Sequence, residues 1–343
     1  MKKRLVRLLA WAVTAGILFL LFRKIPFHDV VAAARGAAGW TVPAAFFFGF
    51  VIYLADSFAI WKTFGWFLLP REPSEGSHTL PRRTTLGEAE LRPPDPLPFK
   101  DILLVRGATY LLAAINYNVG QGAIVYFVHR VARVPVIRGV ATVLLIMGIN
   151  VLALLFLATF GLAAAPDVPH AVKLIVAVAY AGLAVYVAAV IAKPRWLASR
   201  PLFDVLLGAG LGGHARALLV RLPHIAILFV FQIIMLRGFG VAVPILQAMA
   251  ALPVVYLIAV LPISVQGLGT TQATMIYFFA RYAPGDSHAQ QAAVLTASLV
   301  GQAGTLAFQI VLGLACLKSR IGRAVTAASH EAQTAQTAPS PST

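Results

Sequence analysis

The chain has 343 residues, 59% of them hydrophobic and only 12% charged. Soluble domains carry about 25% charged residues, so the composition excludes a soluble globular enzyme and describes an integral membrane protein. The net charge of +16 sits in short basic loops between apolar runs, where orientation in the bilayer and contact with anionic lipid headgroups account for it. No basic cluster is interleaved with aromatics on a polar face, so nucleic acid is not an expected partner.

In chain order, Met1-Lys-Lys-Arg-Leu-Val-Arg7 precedes an apolar run to Phe22. Arg23 and Lys24 follow it directly and no Ala-x-Ala site comes next, which predicts a retained first helix rather than a cleaved signal peptide. A spanning helix needs about 20 apolar residues, and six stretches qualify: 5–22, 41–61, 139–163, 171–192, 222–241 and 289–317. Residues 70–100, rich in Pro, Arg and Glu, predict a cytoplasmic surface loop without a core. Pro166-Asp-Val-Pro169 marks a turn, and Lys193-Pro-Arg-Trp196 an interface anchor. Residues 195–221, with Arg195, Arg200, Arg216 and Arg221, predict an interfacial helix or a linker. Residues 321–343 read as a disordered cytoplasmic tail, leaving 1–320 as one membrane domain.

Two further apolar segments, at about 101–128 and 245–282, are interrupted in the same way. One reads Ala113-Ala-Ile-Asn-Tyr-Asn-Val-Gly-Gln-Gly-Ala-Ile-Val-Tyr-Phe127; the other reads Leu261-Pro-Ile-Ser-Val-Gln-Gly-Leu-Gly-Thr-Thr-Gln-Ala-Thr-Met-Ile-Tyr-Phe278. Non-helical backbone at membrane depth must be buried in protein or line a wet cavity, and a matched pair of Gly/Pro-broken segments points to a transport site between two repeats. Candidate binding residues at the first break are Asn116, Asn118, Gly120, Gln121 and Gly122. At the second they are Ser264, Gln266, Gly267, Gly269, Thr270, Thr271 and Gln272. Amides, hydroxyls and half-helix N-termini donate to phosphate oxygens, and the two kinks are expected to face each other around a charged guest. The competing reading is tight helix packing at Gly-x-Gly, with the polar side chains capping the broken ends.

Asp56 lies inside the second span, where an acid marks function or a structural ion pair, and Arg106 is its expected partner. Asn150, Gln232, Gln247, Gln302 and Gln309 read as interhelical hydrogen-bond glue. Charge then selects a topology. With each broken segment a re-entrant hairpin returning to its own side, 22 of the 28 Lys and Arg residues fall on the cytoplasmic side, as the positive-inside bias requires. The expected fold is therefore all-α: a polytopic membrane protein with about six spanning helices and two oppositely oriented re-entrant helical hairpins. It forms an inverted repeat over about 40–163 and 171–317, with both termini cytoplasmic. No metal-ligand cluster, nucleophile elbow or phosphate loop is present in the sequence, so neither an enzyme nor a cofactor is expected.

Leu261-Pro-Ile-Ser-Val-Gln-Gly-Leu-Gly-Thr-Thr-Gln272 resembles the signature Leu-Pro-Ile-Ser-x-Gly-Gly-x-Gly-x-x-Glu of the lysylphosphatidylglycerol synthase transmembrane-region family. That family includes the flippase-like half of the bacterial multiple peptide resistance factor. Asn116 to Gly122, followed by Arg130 and Arg133, is similar to the family's first Asn…Gly-x-Gly…Arg element. The resemblance runs from about 5 to 317. It implies a flippase of the bacterial inner membrane that moves a phospholipid or a lipid-linked headgroup between leaflets. It maps the site onto Asn116, Gly120, Gly122, Pro262, Ser264, Gly267, Gly269 and Gln272. Gln266 stands where glycine is usual and Gln272 where glutamate is common, which removes the carboxylate a coupling cation would use. The synthase half has no counterpart here, so the chain is not expected to make aminoacylated lipid. The alternatives are a non-transporting partner or scaffold of a lipid-modifying enzyme and, with less behind it, an intramembrane transferase.

Overall fold

The structure, a computed structural model, describes residues 2–68, 97–115, 117–132, 134–164, 169–260 and 267–317. The predicted cytoplasmic loop lies almost wholly outside the described residues, and the turn at 166–169 and the tail at 321–343 fall largely or wholly outside them. Among the described residues the regular structure is helical: α1 (Lys2–Lys24), α2 (Phe27–Gly36), α3 (Thr41–Phe67), α4 (Phe99–Ile115), α5 (Tyr117–Ala132), α6 (Val136–Ala164), α7 (His170–Ala192), α8 (Arg195–Ala198), α9 (Pro201–Gly208), α10 (Gly210–Gly238), α11 (Ile245–Val260), α12 (Thr270–Phe279) and α13 (Ser287–Leu317). Five of them, α3, α6, α7, α10 and α13, are long and apolar enough to cross a membrane. At 1.5 Å per residue they measure about 35–46 Å, more than the ~30 Å hydrocarbon core, so they cross with tilt or extend beyond it. The chain is thus an all-α protein with the helices of a multi-pass membrane protein.

Proline sets many of the helix starts. Pro26, Pro98, Pro135, Pro169, Pro194 and Pro244 each precede a helix and offer a carbonyl to its first turn. A proline there loses no helical N–H bond and brings a helix-ready φ. α7 ends at Lys193 in the left-handed conformation (φ 44°), a common helix stop. α13 opens on Asp286, whose Oδ1 accepts hydrogen bonds from the Ala289 N–H (2.9 Å) and the His288 N–H (3.0 Å). Those two backbone donors hold the Asp286 carboxyl below its ordinary pKa.

The structure corrects one expected boundary. The stretch 195–221 is not a separate interfacial helix or linker. It forms α8, α9 and the first twelve residues of α10, which begins at Gly210 rather than near 222. The arginines point to a boundary, but α10 runs on through Arg216, Arg221 and Pro223. Arg221 therefore lies within a long apolar helix.

The packing scheme repeats itself. α3 lies against α10. α4 packs along α13 as α11 packs along α6, and α3 contacts α13 as α10 contacts α6. Each short pair, α4–α5 and α11–α12, packs on itself and on the long helix that follows it. Exchanging α3–α6 for α10–α13 reproduces the set of neighbours. Small residues permit the close crossings: a side chain at Gly161 of α6 would strike the backbone of Met249 and Ala250 in α11, and one at Gly304 of α13 would strike Ala45 of α3. α7 stands at the edge with Leu174, Val178, Val185 and Ile191 exposed.

A charged cluster beneath the first hairpin

Asp56 is buried at 2% exposure in the middle of α3, and its carboxylate is held by two guanidiniums from different helices. Arg106 of α4 donates through Nε to Oδ2 at 2.6 Å, and Arg221 of α10 donates through Nη1 to Oδ1 at 2.6 Å. Arg221 also donates through Nε to Oδ1 of Asn150 on α6. The Arg106 guanidinium lies over the Tyr110 ring, one turn along α4, at 4.9 Å from its centroid, a cation–π arrangement. Three helices thus meet at one carboxylate, and α6 joins them through Arg221.

The charges do not cancel. Among the described residues two arginines face one aspartate, and both Arg side chains are nearly as enclosed as the acid, at 13% and 7% exposure against 3%. A buried ion pair survives only when its members are well paired. Here the surplus of one positive charge sits where the dielectric is low and attraction for an anion is strong.

The cluster borders a cleft of about 330 Å³ between α3, α4, α5, α6 and α10. Asp56, Arg106, Arg221, Asn150 and Gln121 supply its polar wall; Ile60, Phe64, Ile124, Val143, Ile146 and Met147 supply the rest. A second cleft of about 210 Å³ adjoins it, sharing Ile60, Phe64, Arg106 and Ile124 and extending along Ile102, Val105, Phe127 and Val128. Polar surface thus passes directly into apolar surface under the α4–α5 hairpin. The enclosed room of the first cleft matches about one water molecule, so a larger guest requires the hairpin to move.

The candidate residues divide. Asp56 and Arg106 are in contact. Asn116 and Ser264 lie outside the described residues, as does the Asn118 side chain. Gly120 and Gly122 are not the kink: both lie inside α5, which begins at Tyr117, and neither has a positive φ. Gly120 serves packing instead, since a Cβ there would come within 2.7 Å of the Ala113 Cβ across the hairpin. Gly122 faces open space.

At the second break the glycines do depart from helix, with φ 71° at Gly267 and 84° at Gly269. Among the described residues, Gln272 and Thr270 bond within the protein. Gln272, fully buried, accepts the Gly269 N–H at Oε1 (2.6 Å) and donates through Nε2 to Ser298 Oγ (3.2 Å) and Gln302 Oε1 (2.8 Å). Thr270 Oγ1 donates to the Gly267 carbonyl. The Thr271 hydroxyl lies beside Gly267. Ile17 and Thr14 of α1 cover Gly269. Gln272 is therefore a helix cap and interhelical tie, and no extensive packing brings the α11–α12 hairpin against α4–α5.

Arg221 is a functional candidate that falls in the expected interfacial helix or linker, whereas Asn150 forms the interhelical tie expected of it, from α6 to Arg221 of α10. The available signal was the apolar register continuing through Leu218, Leu219, Leu222 and Ile225 around Arg221. No protein-family model matches the chain, and no curated protein matches it in sequence.

Proposed function

We propose that the chain is a polar-lipid flippase of the bacterial inner membrane, of the kind found in the lysylphosphatidylglycerol synthase transmembrane-region family. It binds the phosphate of a phospholipid or lipid-linked substrate at Arg106 and Arg221 and passes the headgroup between leaflets. The observation that carries this reading is the surplus buried positive charge at a cleft whose polar wall adjoins an apolar one. An anionic headgroup neutralises the first while its chain lies along the second. Asp56 holds the two guanidiniums apart and in place in the absence of substrate.

In the proposed topology α1 is the sixth span, and α4–α5 and α11–α12 are re-entrant hairpins entering from opposite faces. Both termini are cytoplasmic. The exchange symmetry of the helix neighbours supports an inverted repeat. The closed second break, covered by α1, supports one working cleft rather than two.

The test is a reconstituted-vesicle assay with a fluorescent anionic phospholipid. Flipping by the wild type and its loss in Arg221→Gln are expected; equal rates in the two would remove the cluster from the mechanism. The tightness of the cleft favours one other reading, a non-transporting partner of a lipid-modifying enzyme. Co-purification of such an enzyme, with no flipping by the chain alone, would select it.

A further inference from the structure

His224 is a buried ionisable group that lipid binding leaves unused. It lies one turn beyond Arg221 on α10, at 6% exposure. Residues three apart share a helix face, so it sits beside the cluster. The Ile52 carbonyl of α3 lies beside its ring, while Nδ1 has no partner among the described residues. A buried, unpaired ring nitrogen is costly and calls for a donor, or for a proton together with a group that accepts the new N–H.

The charges that face it come from three helices. Arg221 lies on its own helix, Asp56 on α3 and Arg106 on α4. The titratable phenols nearby are occupied: Tyr53 donates to the Leu103 carbonyl, Tyr256 to the Leu228 carbonyl, and Tyr110 stacks under Arg106. α6 contributes the neutral Asn150, bound to Arg221.

We propose that His224 is a proton site linked to anion binding, so that the cleft takes up an anionic headgroup and a proton together. This rests on the reading of Arg106 and Arg221 as the anion site and supplies its coupling ion. A bound phosphodiester adds a negative charge within a helical turn of His224, and that charge favours a proton on the Nδ1 lone pair. No covalent bond forms or breaks; a proton moves from solvent to Nδ1. Linkage is reciprocal, so falling pH must tighten anion binding by the factor that the anion favours protonation.

The experiment is calorimetric titration of the purified full chain with dihexanoylphosphatidylglycerol, whose phosphodiester does not titrate near neutral pH, in buffers of different ionisation enthalpy. The expected result is buffer-dependent heat corresponding to uptake approaching about one proton per bound lipid, and affinity rising toward low pH by up to about tenfold per unit. His224→Gln keeps the binding and loses both the uptake and the pH slope; His224→Asn serves if the first variant does not fold. Binding by the wild type without proton uptake, or the same uptake in the His224 variants, overturns the proposal and spares the anion site. No binding by the wild type overturns both.

Discussion

The two helical hairpins occupy matching places in the packing scheme and carry opposite chemistry. Under α4–α5, charged groups from three helices meet in excess and face a cleft. At α11–α12, the polar groups are neutral, pair with one another and are covered by α1. The difference shows that a backbone break is not itself a binding site. What matters is whether the polar groups around it are satisfied within the protein, as at Gln272, or leave a charge for something else to answer, as at Asp56.

The largest test of this contrast removes the hub of the first region. Asp56→Ala strands two enclosed guanidiniums, and losing one partner of a buried ion pair costs about 3–5 kcal/mol. Arg221→Met leaves Asp56 paired one-to-one with Arg106 and should cost markedly less. Thermal unfolding of both variants in detergent checks the order; equal losses would mean that the surplus charge is not a real feature of the cluster.

At the second region the strain lies in the backbone. Gly267→Ala and Gly269→Ala each force a Cβ into a positive-φ position, at about 1–2 kcal/mol, and Gly269 adds a close approach to Ile17. Gln272→Ala leaves the Gly269 N–H, Ser298 and Gln302 each short of a partner, at about 1–3 kcal/mol. All three should lower stability while the affinity for anionic lipid in the surviving folded protein stays unchanged. Weakened binding would show that the second break belongs to the site.

The first Gly-x-Gly sharpens the comparison from the other side. Gly122→Ala, inside a helix with nothing near its Cβ position, should stabilise by up to about 1 kcal/mol. Gly120→Ala should destabilise by pressing on Ala113. Equal effects at the two positions would contradict the helical placement.

The smallest effect is expected at the exposed Asp286 cap. Its carboxyl pKa is lowered in the folded state, so its contribution is present above the ordinary carboxylate range. It fades as pH falls through the lowered native value. A melting-temperature series at mildly acidic pH should show less dependence in Asp286→Asn than in the wild type.

Hydropathy located the long helices closely because a spanning helix is a local property, about 20 apolar residues whose backbone groups are satisfied within the segment. Predicted 139–163 and 171–192 differ from α6 and α7 by only a few residues at each end. The second Gly-x-Gly was legible for the same local reason, since positive φ favours glycine. The first was not: Gly120 answers a neighbour across the hairpin rather than a turn.

Read alone, the sequence determined an all-α membrane protein with two interrupted helices and an acid at membrane depth. Only the tertiary structure decided which charges meet, because Asp56, Arg106, Asn150 and Arg221 belong to four separate helices, and the first and last of them stand 165 residues apart. No period or spacing encodes such a meeting. Helix packing brings the arginines to the acid, and burial makes their surplus charge consequential.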